Sequence, residues 1–206
     1  ILLKNLDGNP QKDPNYIRFT TGARKKVWNK NVLAIGLSSG FLEPLESTSI
    51  HLIQRGLSKL ISWFPDKSFE QKNIDEYNRL HNRDVERVRD FIILHYKAND
   101  RSDSEFWRHC REMDIPDELK NKIDTFVATG RLIELAGDSF SEASWLSVLM
   151  GQGITPKSYD PVADFYDLPQ LKKVMAKMRE IIIQTAESMP SHSGFIAQHC
   201  TARDYR

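Results

Sequence analysis

GFLEPLESTSIHLI, residues 40–53, is the stretch at which the pattern of the chain changes. It places two carboxylates, Glu43 and Glu46, on either side of Pro44 in a short apolar loop. Residues 47–49, Ser-Thr-Ser, then open an apolar pattern with a period of about 3.6 residues, which predicts a helix. The chain after this loop is predicted to be helical, whereas the residues before it favour short strands.

Two strands are predicted before the loop and six helices after it. Tyr16–Thr20 alternates in polarity, and Val32–Gly36 is an apolar run typical of a buried strand in a parallel sheet. An apolar stripe or a terminal proline or glycine predicts each helix. The approximate bounds of the helices are 48–64, 68–98, 104–112, 116–130, 139–150 and 170–189.

The composition is that of an ordinary globular protein of 206 residues, with 40% apolar and 28% charged residues. A formal net charge of +1 gives no electrostatic reason to expect binding to nucleic acid or to an anionic membrane. Cys110 and Cys200 provide no disulfide framework and indicate a reducing compartment, the cytoplasm. No apolar run reaches the length of a membrane-spanning helix. Because the chain opens at Ile1 without a strand–glycine–helix unit, we expect it to be part of a longer protein.

The loop has two interpretations from spacing alone. Gly36 and Gly40 can bring bare backbone close to a ligand, and Pro44 stiffens the chain ahead of the helix. The first amides of the helix, with the positive end of its dipole behind them, are suited to binding an anion. Alternatively, the hydroxyl groups of residues 47–49 simply cap the helix.

Residues 28–50, WNKNVLAIGLSSGFLEPLESTSI, closely resemble the signature segment of the flavin-dependent tryptophan halogenase family. The helical order of the rest of the chain is also similar to that family. The resemblance implies an α/β flavin-monooxygenase-like fold, of which this chain holds the C-terminal part: a short β segment followed by a mostly α-helical region. Residues 1–64 would end the FAD-binding α/β domain and carry the halide and catalytic loop. Residues 65–206 would form a helical substrate-covering region.

The resemblance also implies a reaction and the residues that perform it. A separate flavin reductase supplies reduced FAD as diffusible FADH2, and reduced FAD, O2 and chloride or bromide yield hypohalous acid, which halogenates an indole-like or phenolic aromatic. The family's catalytic glutamate and the serine after it correspond to Glu46 and Ser47. Its two halide-binding amides correspond to Thr48 and Ser49. The residues expected to contact the flavin are Gly36, Leu37, Ser38, Gly40, Pro44 and Ile50.

Several family features are missing from this sequence. It has no glycine-rich dinucleotide fingerprint, no match to the segment with the catalytic lysine and no Trp-x-Trp-x-Ile-Pro motif. We therefore expect no turnover by this chain alone. The tyrosine pair of tryptophan-specific members is also absent, which favours similarity to members that act on free indole or other aromatics. Phe140 and Trp145 are candidate substrate contacts, with packing in the core as the alternative.

Two other functional classes are compatible with the sequence. A related FAD-dependent aromatic hydroxylase and a non-catalytic helical interaction module are the two alternatives. No metal site is expected, because His109-Cys110 and His199-Cys200 are isolated dipeptides without the short gaps that bring ligands to one ion. A homodimer is the oligomeric state considered.

Overall fold

The structure, a computed structural model, describes residues 2–200, and its contacts divide the chain between Ser158 and Tyr159 into two compact units. The first unit contains four two-residue strands and five helices. They are β1 (Gly22–Ala23), β2 (Trp28–Asn29), β3 (Val32–Leu33), β4 (Gly40–Phe41), α1 (Ser49–Ser62), α2 (Gln71–Lys97), α3 (Glu105–Glu112), α4 (Asp117–Thr129) and α5 (Glu142–Gly151). The second unit contains α6 (Leu168–Ser188) and α7 (His192–His199).

The strands form two small antiparallel pairs. β1 pairs with β4, with Ala23 opposite Gly40, and β2 pairs with β3, with Trp28 opposite Leu33. A short 3-10 turn, Gly36–Ser38, separates β3 from β4.

Both strand predictions were wrong. Tyr16–Thr20 forms no strand, and all five residues are exposed, so alternation there reflects no buried face. The run Val32–Gly36 contributes only Val32 and Leu33, which belong to an antiparallel hairpin rather than a parallel sheet. Gly36 has a φ of 66° and turns the chain into the 3-10 turn, which ends the extended conformation.

The six predicted helices are confirmed as α1 to α6, with ends within a few residues of those expected. The helix α7 was not predicted. Within the described residues, none of the helices combines the length and the hydropathy needed to cross a bilayer. A short β segment followed by a mostly helical region is the fold that the sequence predicts for this chain, and it is confirmed.

The long helix α2 organises the first unit. Two of its residues, Phe91 and Leu94, belong to a core cluster with Leu119, Phe126, Trp145 and Leu149. Two others, Ile74 and Tyr77, pack in a second cluster against Val27 and Trp28 at the start of β2. Segments on both sides of residue 64 thus share one packed unit, and the functional boundary between residues 64 and 65 stays a prediction.

A buried asparagine fastens the segment before the loop to α2. The backbone N–H groups of Val27 and Trp28 both donate to Oδ1 of Asn78, each at 2.8 Å. The side-chain Nδ2 of Asn78 donates to the Trp28 carbonyl, also at 2.8 Å. Because the amide group of Asn78 makes three hydrogen bonds, it fixes both the position and the direction of β2 on the helix.

Charged groups dock α1 onto the same helix. Arg55 donates from Nε and Nη2 to the two oxygens of Asp84, at 2.9 and 3.0 Å. Lys59 also contacts Asp84, whose side chain is only 2% exposed. The pKa of Lys59 is lowered to about 8 by burial and by the charges of Arg55 and Arg83. This network holds the middle and the last turn of α1 against α2.

Candidate active site

The loop before α1 contains two residues in an unusual backbone conformation. After Pro44, a 3-10 turn covers Leu45–Ser47, within which Glu46 has a φ of 63° and Ser47 a φ of 50°. The Ser47 amide donates to the Pro44 carbonyl at 2.9 Å, which closes the turn. Side chains with a Cβ adopt this left-handed region rarely, and such strain is concentrated at functional sites.

The carboxylate of Glu46 is held by a histidine of α2. His95 Nε2 lies 2.9 Å from Glu46 Oε1, and the two side chains are 17% and 33% exposed. The other ring nitrogen, Nδ1, lies 2.8 Å from the Phe91 carbonyl oxygen. The His95 ring also meets the Phe91 ring edge to face, with centroids 4.9 Å apart. The carboxylate of Glu46 therefore has a rigid neighbour, although one third of its side chain remains exposed to solvent.

The second carboxylate of the loop is held by the next residue of α2. Tyr96 donates its hydroxyl hydrogen to Glu43, with distances of 3.1 and 2.9 Å to the two oxygens. Burial, together with the hydrogen bond to Glu43, raises the pKa of Tyr96. The two glutamates of the loop are thus bound by adjacent residues, His95 and Tyr96, which fixes the loop against the end of α2.

The start of α1 is not capped by a side chain. Thr48 is the N-cap residue, is 6% exposed and accepts no capping hydrogen bond. The hydroxyl of Ser47 donates instead to the Pro44 carbonyl at 3.4 Å. The capping interpretation is therefore wrong for Thr48. Its amide and that of Ser49 stand where a helix offers unpaired N–H groups.

A small cavity of about 60 Å³ lies at this helix start. Its walls include Gly36, Leu37 and Gly40 on one side and Thr48 and Ser49 on the other. About 10–15 Å³ of such volume is enough for one water molecule, so the cavity has room for a small ion but is too small for a fused aromatic ring. The cavity brings together residues that were assigned to the flavin and residues that were assigned to the halide.

Two titratable side chains also line the small cavity. One is Glu43, whose carboxylate is bound by Tyr96. The other is His81, whose pKa is lowered to about 4 by burial and by the charge of Lys59. His81 is therefore neutral at pH 7, and its buried Nε2 has no hydrogen-bond partner within residues 2–200.

A larger cavity of about 720 Å³ shares Gly40 and Phe41 of β4 with the small one. Leu37, Ser38 and Gly40 line it together with Phe19 and Arg24. This volume is ample for a tricyclic ring system, so three of the six residues expected to contact the flavin fit that role. Pro44 and Ile50, both within the described residues, line neither this cavity nor the small one.

Gly40 has a structural reason for being glycine. A Cβ added there would lie 2.7 Å from the Gly22 carbonyl oxygen and 2.8 Å from Ala23 Cα. The missing side chain of Gly40 is therefore required by the pairing of β4 with β1. By contrast, Gly36 needs glycine for its positive φ, and its added Cβ would approach Ile53 at 3.3 Å.

A third cavity, of about 590 Å³, lies beside the partner of Glu46. Leu45, His95, Tyr96 and Trp107 line it, and the rings of Tyr96 and Trp107 stack at 6.0 Å with an interplanar angle of 19°. The sequence of α3 has an amphipathic pattern in which Trp107 fits a packing role. Its place on this cavity could not be inferred from that pattern.

Of the two candidate substrate residues, Trp145 belongs to the core cluster and Phe140 packs against it. Trp145 is 2% exposed and meets Phe91 edge to face at 4.8 Å, with Lys122 Nζ 3.7 Å from the centre of its ring. Phe140 stacks on Phe91 at 3.8 Å. These contacts favour the packing alternative, and substrate contact by either residue stays a prediction. Within residues 2–200, no group of three or more His, Cys, Asp or Glu side chains is placed to hold a metal ion.

Comparison with known proteins identifies the family. The family model for tryptophan halogenase matches residues 1–167. The chain therefore belongs to the tryptophan halogenase family.

Three similar proteins illustrate the relationship. The 7-chloro-L-tryptophan 6-halogenase KtzR of Kutzneria sp. strain 744 is 30% identical, over 90% of this chain and 37% of the relative. The structure of BrvH, a flavin-dependent halogenase from Brevundimonas sp. BAL3, is 46% identical with a TM-score of 0.88, over 95% of this chain and 40% of that one. Xcc4156, a flavin-dependent halogenase from Xanthomonas campestris, is 42% identical with a TM-score of 0.87, over 98% and 41%. The chain thus spans about two fifths of the length of these proteins.

Proposed function

We propose that the full-length protein containing this chain is a flavin-dependent halogenase. It uses reduced FAD, O2 and chloride or bromide to make hypohalous acid and halogenates an indole-like or phenolic aromatic. The observation that carries this proposal is the strained turn that places Glu46 against His95. In the sequence, Glu46 lies two residues before Thr48, the N-cap residue of α1, which makes no side-chain capping bond. Membership of the tryptophan halogenase family supports the same conclusion.

The halide is assigned to the small cavity at Thr48 and Ser49. Unpaired amides at a helix start stabilise an anion through hydrogen bonds and through the helix dipole. The volume of about 60 Å³ suits one halide ion. The neutral state of His81 adds no positive charge to this cavity, so backbone dipoles are the source of binding there.

FAD is assigned to the larger cavity, where Leu37, Ser38 and Gly40 would contact the isoalloxazine ring. Bound reduced FAD supplies the electrons for the reaction of O2 that oxidises the halide. The two cavities share Leu37 and Gly40 in their walls, which keeps the halide close to the ring. Contact of Pro44 and Ile50 with the cofactor stays a prediction, since neither residue lines this cavity.

Glu46 is assigned to the aromatic substitution. Hypohalous acid transfers its halogen to a ring carbon, which builds positive charge on the ring, and a nearby carboxylate stabilises that charge. The ring proton then leaves, and Glu46 accepts it as the general base. The halogenated ring and one water molecule are the products. Ser47 supports this role through the turn that orients Glu46.

The substrate is assigned to the cavity of about 590 Å³ beside His95. Its stacked Tyr96 and Trp107 rings suit a planar aromatic. KtzR is named for a chlorinated tryptophan, and that substrate belongs to KtzR alone. Because this chain lacks the tyrosine pair of tryptophan-specific members, free indole and simple phenols are the preferred candidates here.

The test uses the full-length protein with a flavin reductase, FAD, halide and a panel of indoles and phenols, with products identified by mass spectrometry. A halogenated product is expected, and Glu46→Gln should lower its formation by about 10²–10³-fold while FAD binding is retained. Near-normal halogenation by this variant would overturn the role of Glu46. A hydroxylated product formed without halide would instead establish the hydroxylase alternative. If neither a halogenated nor a hydroxylated product forms, the result favours the interaction module.

Two further parts of the proposal are checked with the same preparation. If the reductase acts only through diffusible FADH2, chemically reduced FAD should replace it in the assay. Light scattering tests the expected homodimer. We also place the protein in the cytoplasm, because Cys110 and Cys200 are both free thiols.

A further inference from the structure

The hydrogen bonds of His95 determine which of its nitrogens carries a proton. Nδ1 lies 2.8 Å from the carbonyl oxygen of Phe91. A carbonyl oxygen only accepts hydrogen bonds, so Nδ1 must be the donor and must bear a hydrogen. In neutral His95, therefore, Nε2 carries a lone pair.

This assignment constrains the contact with Glu46. A lone pair on Nε2 would be repelled by an ionised Glu46 whose Oε1 is 2.9 Å away. The contact is attractive only when the pair holds one additional proton, either as an imidazolium beside a carboxylate or as a neutral ring beside a protonated Glu46. His95 and Glu46 therefore behave as a unit that shares one proton.

We propose that His95 is a positioning residue for Glu46, an inference that rests on the proposed halogenase function. The proton on the Nε2 side holds Oε1 of Glu46, and both His95 and Leu45, the residue before Glu46, lie in the wall of the substrate cavity. His95 itself is fixed by the Phe91 carbonyl and by the edge-to-face contact with the Phe91 ring. A chain of fixed contacts thus runs from the core of α2 to the reacting carboxylate.

The position of Glu46 explains why such support is needed. Its backbone lies in the left-handed region on a short 3-10 turn, and its side chain is one-third exposed. Without a partner, the carboxylate would sample several rotamers in water. A reacting group held about 1 Å from its productive position can lose about 100-fold in rate.

Two substitutions separate a positioning role from a structural one. In His95→Gln the side-chain amide nitrogen replaces Nε2, so it can still donate to Glu46 but loses the bond to Phe91. In His95→Asn the amide nitrogen replaces Nδ1, so it keeps the bond to Phe91 but loses Glu46. We expect His95→Gln to halogenate within a few-fold of the wild type and His95→Asn to lose about 100-fold in kcat, with a smaller change in KM. If His95→Asn instead keeps a kcat close to the wild type and His95→Gln loses it, then the bond to Phe91 is the one that matters. His95 would then have only a structural role in α2, and the proposal would be overturned.

The assay also distinguishes this inference from the proposed function. Hypohalous acid made by the full-length protein without an aromatic substrate can be trapped with a small diketone. If the wild type makes none, the proposed function fails. If the wild type makes it and His95→Asn halogenates as fast as the wild type, only the role of His95 fails.

A double substitution makes the test independent of folding defects. If His95 acts through Glu46, then His95→Asn should change the residual rate of Glu46→Gln by less than a few-fold. An additional loss of about 100-fold in the double variant would mean that His95 acts by another route, and would refute the proposal.

Discussion

Replacement of Asn78 by alanine tests how β2, which precedes the loop with Glu43 and Glu46, is attached to α2. The substitution removes three hydrogen bonds of 2.8 Å and leaves the amides of Val27 and Trp28, and the Trp28 carbonyl, without partners. Val27 and Trp28 are each 3% exposed, so water cannot easily replace the lost side chain. Each unsatisfied buried group costs about 1–3 kcal/mol. We therefore expect Asn78→Ala to lower the free energy of unfolding by about 3–5 kcal/mol.

The control lies one helical turn further along α2. Asn82 donates a single hydrogen bond of 3.1 Å to the Lys25 carbonyl at an exposed position. Asn82→Ala should cost no more than about 0.5 kcal/mol, the usual range for surface substitutions. Both variants keep the same helix and remove the same type of side chain, so the difference between them isolates the effect of burial.

Urea unfolding of the full-length protein measures the free energies, and hydrogen exchange followed by mass spectrometry reports on the peptide that contains Val27 and Trp28. Faster exchange of this peptide in Asn78→Ala, but not in Asn82→Ala, is expected. Equal stabilities of the two variants, within about 1 kcal/mol, would refute the view that Asn78 is the main attachment of β2.

Two further predictions concern the walls of the small cavity. Gly40→Ala should destabilise the protein by about 1–3 kcal/mol, because the new Cβ would collide with the backbone of β1. Gly22→Ala is the control and should not destabilise the protein in this way, because its Cβ would meet no atom within 4 Å. Thermal unfolding of both variants checks this prediction. The pKa of His81 is about 4 in the folded protein and about 6.5 in the unfolded chain, so the unfolded state binds more protons as the pH falls between these values. The free energy of unfolding should therefore fall on acidification from pH 6.5 to pH 4, by at most about 3 kcal/mol for this residue. In His81→Asn, the free energy of unfolding measured with urea should depend less steeply on pH. An unchanged slope would contradict the lowered pKa of His81.

The helices could be predicted from the sequence because their signals are local. Apolar residues on the face of α2 and the stop at Pro65 after α1 are contained within each segment. The strands failed for the opposite reason. Val32 and Leu33 look like part of a buried strand, but Val32 is 64% exposed, and only the pairing with Trp28 and Asn29 shows what they form.

The candidate site was predicted in part. The resemblance of residues 28–50 to a known family indicated Glu46 and the start of α1, and membership of that family is now shown. The partners of the two glutamates could not be predicted, since Tyr96 lies 53 residues from Glu43 and no local pattern links them. His95 lies beside the apolar stripe of α2, a position typical of a boundary histidine. That local pattern agrees with its bond to Phe91 but does not indicate its contact with Glu46.

The left-handed backbone at Glu46 and Ser47 has a consequence for protein engineering. Only glycine adopts such torsion angles without steric cost, so replacing either residue by glycine should relieve strain of about 1 kcal/mol or more. Directed evolution that selects for heat resistance alone would favour glycine at both positions. At position 46 it would enrich more stable variants that lack the carboxylate we propose as the general base, so such a campaign needs a screen for product at every round.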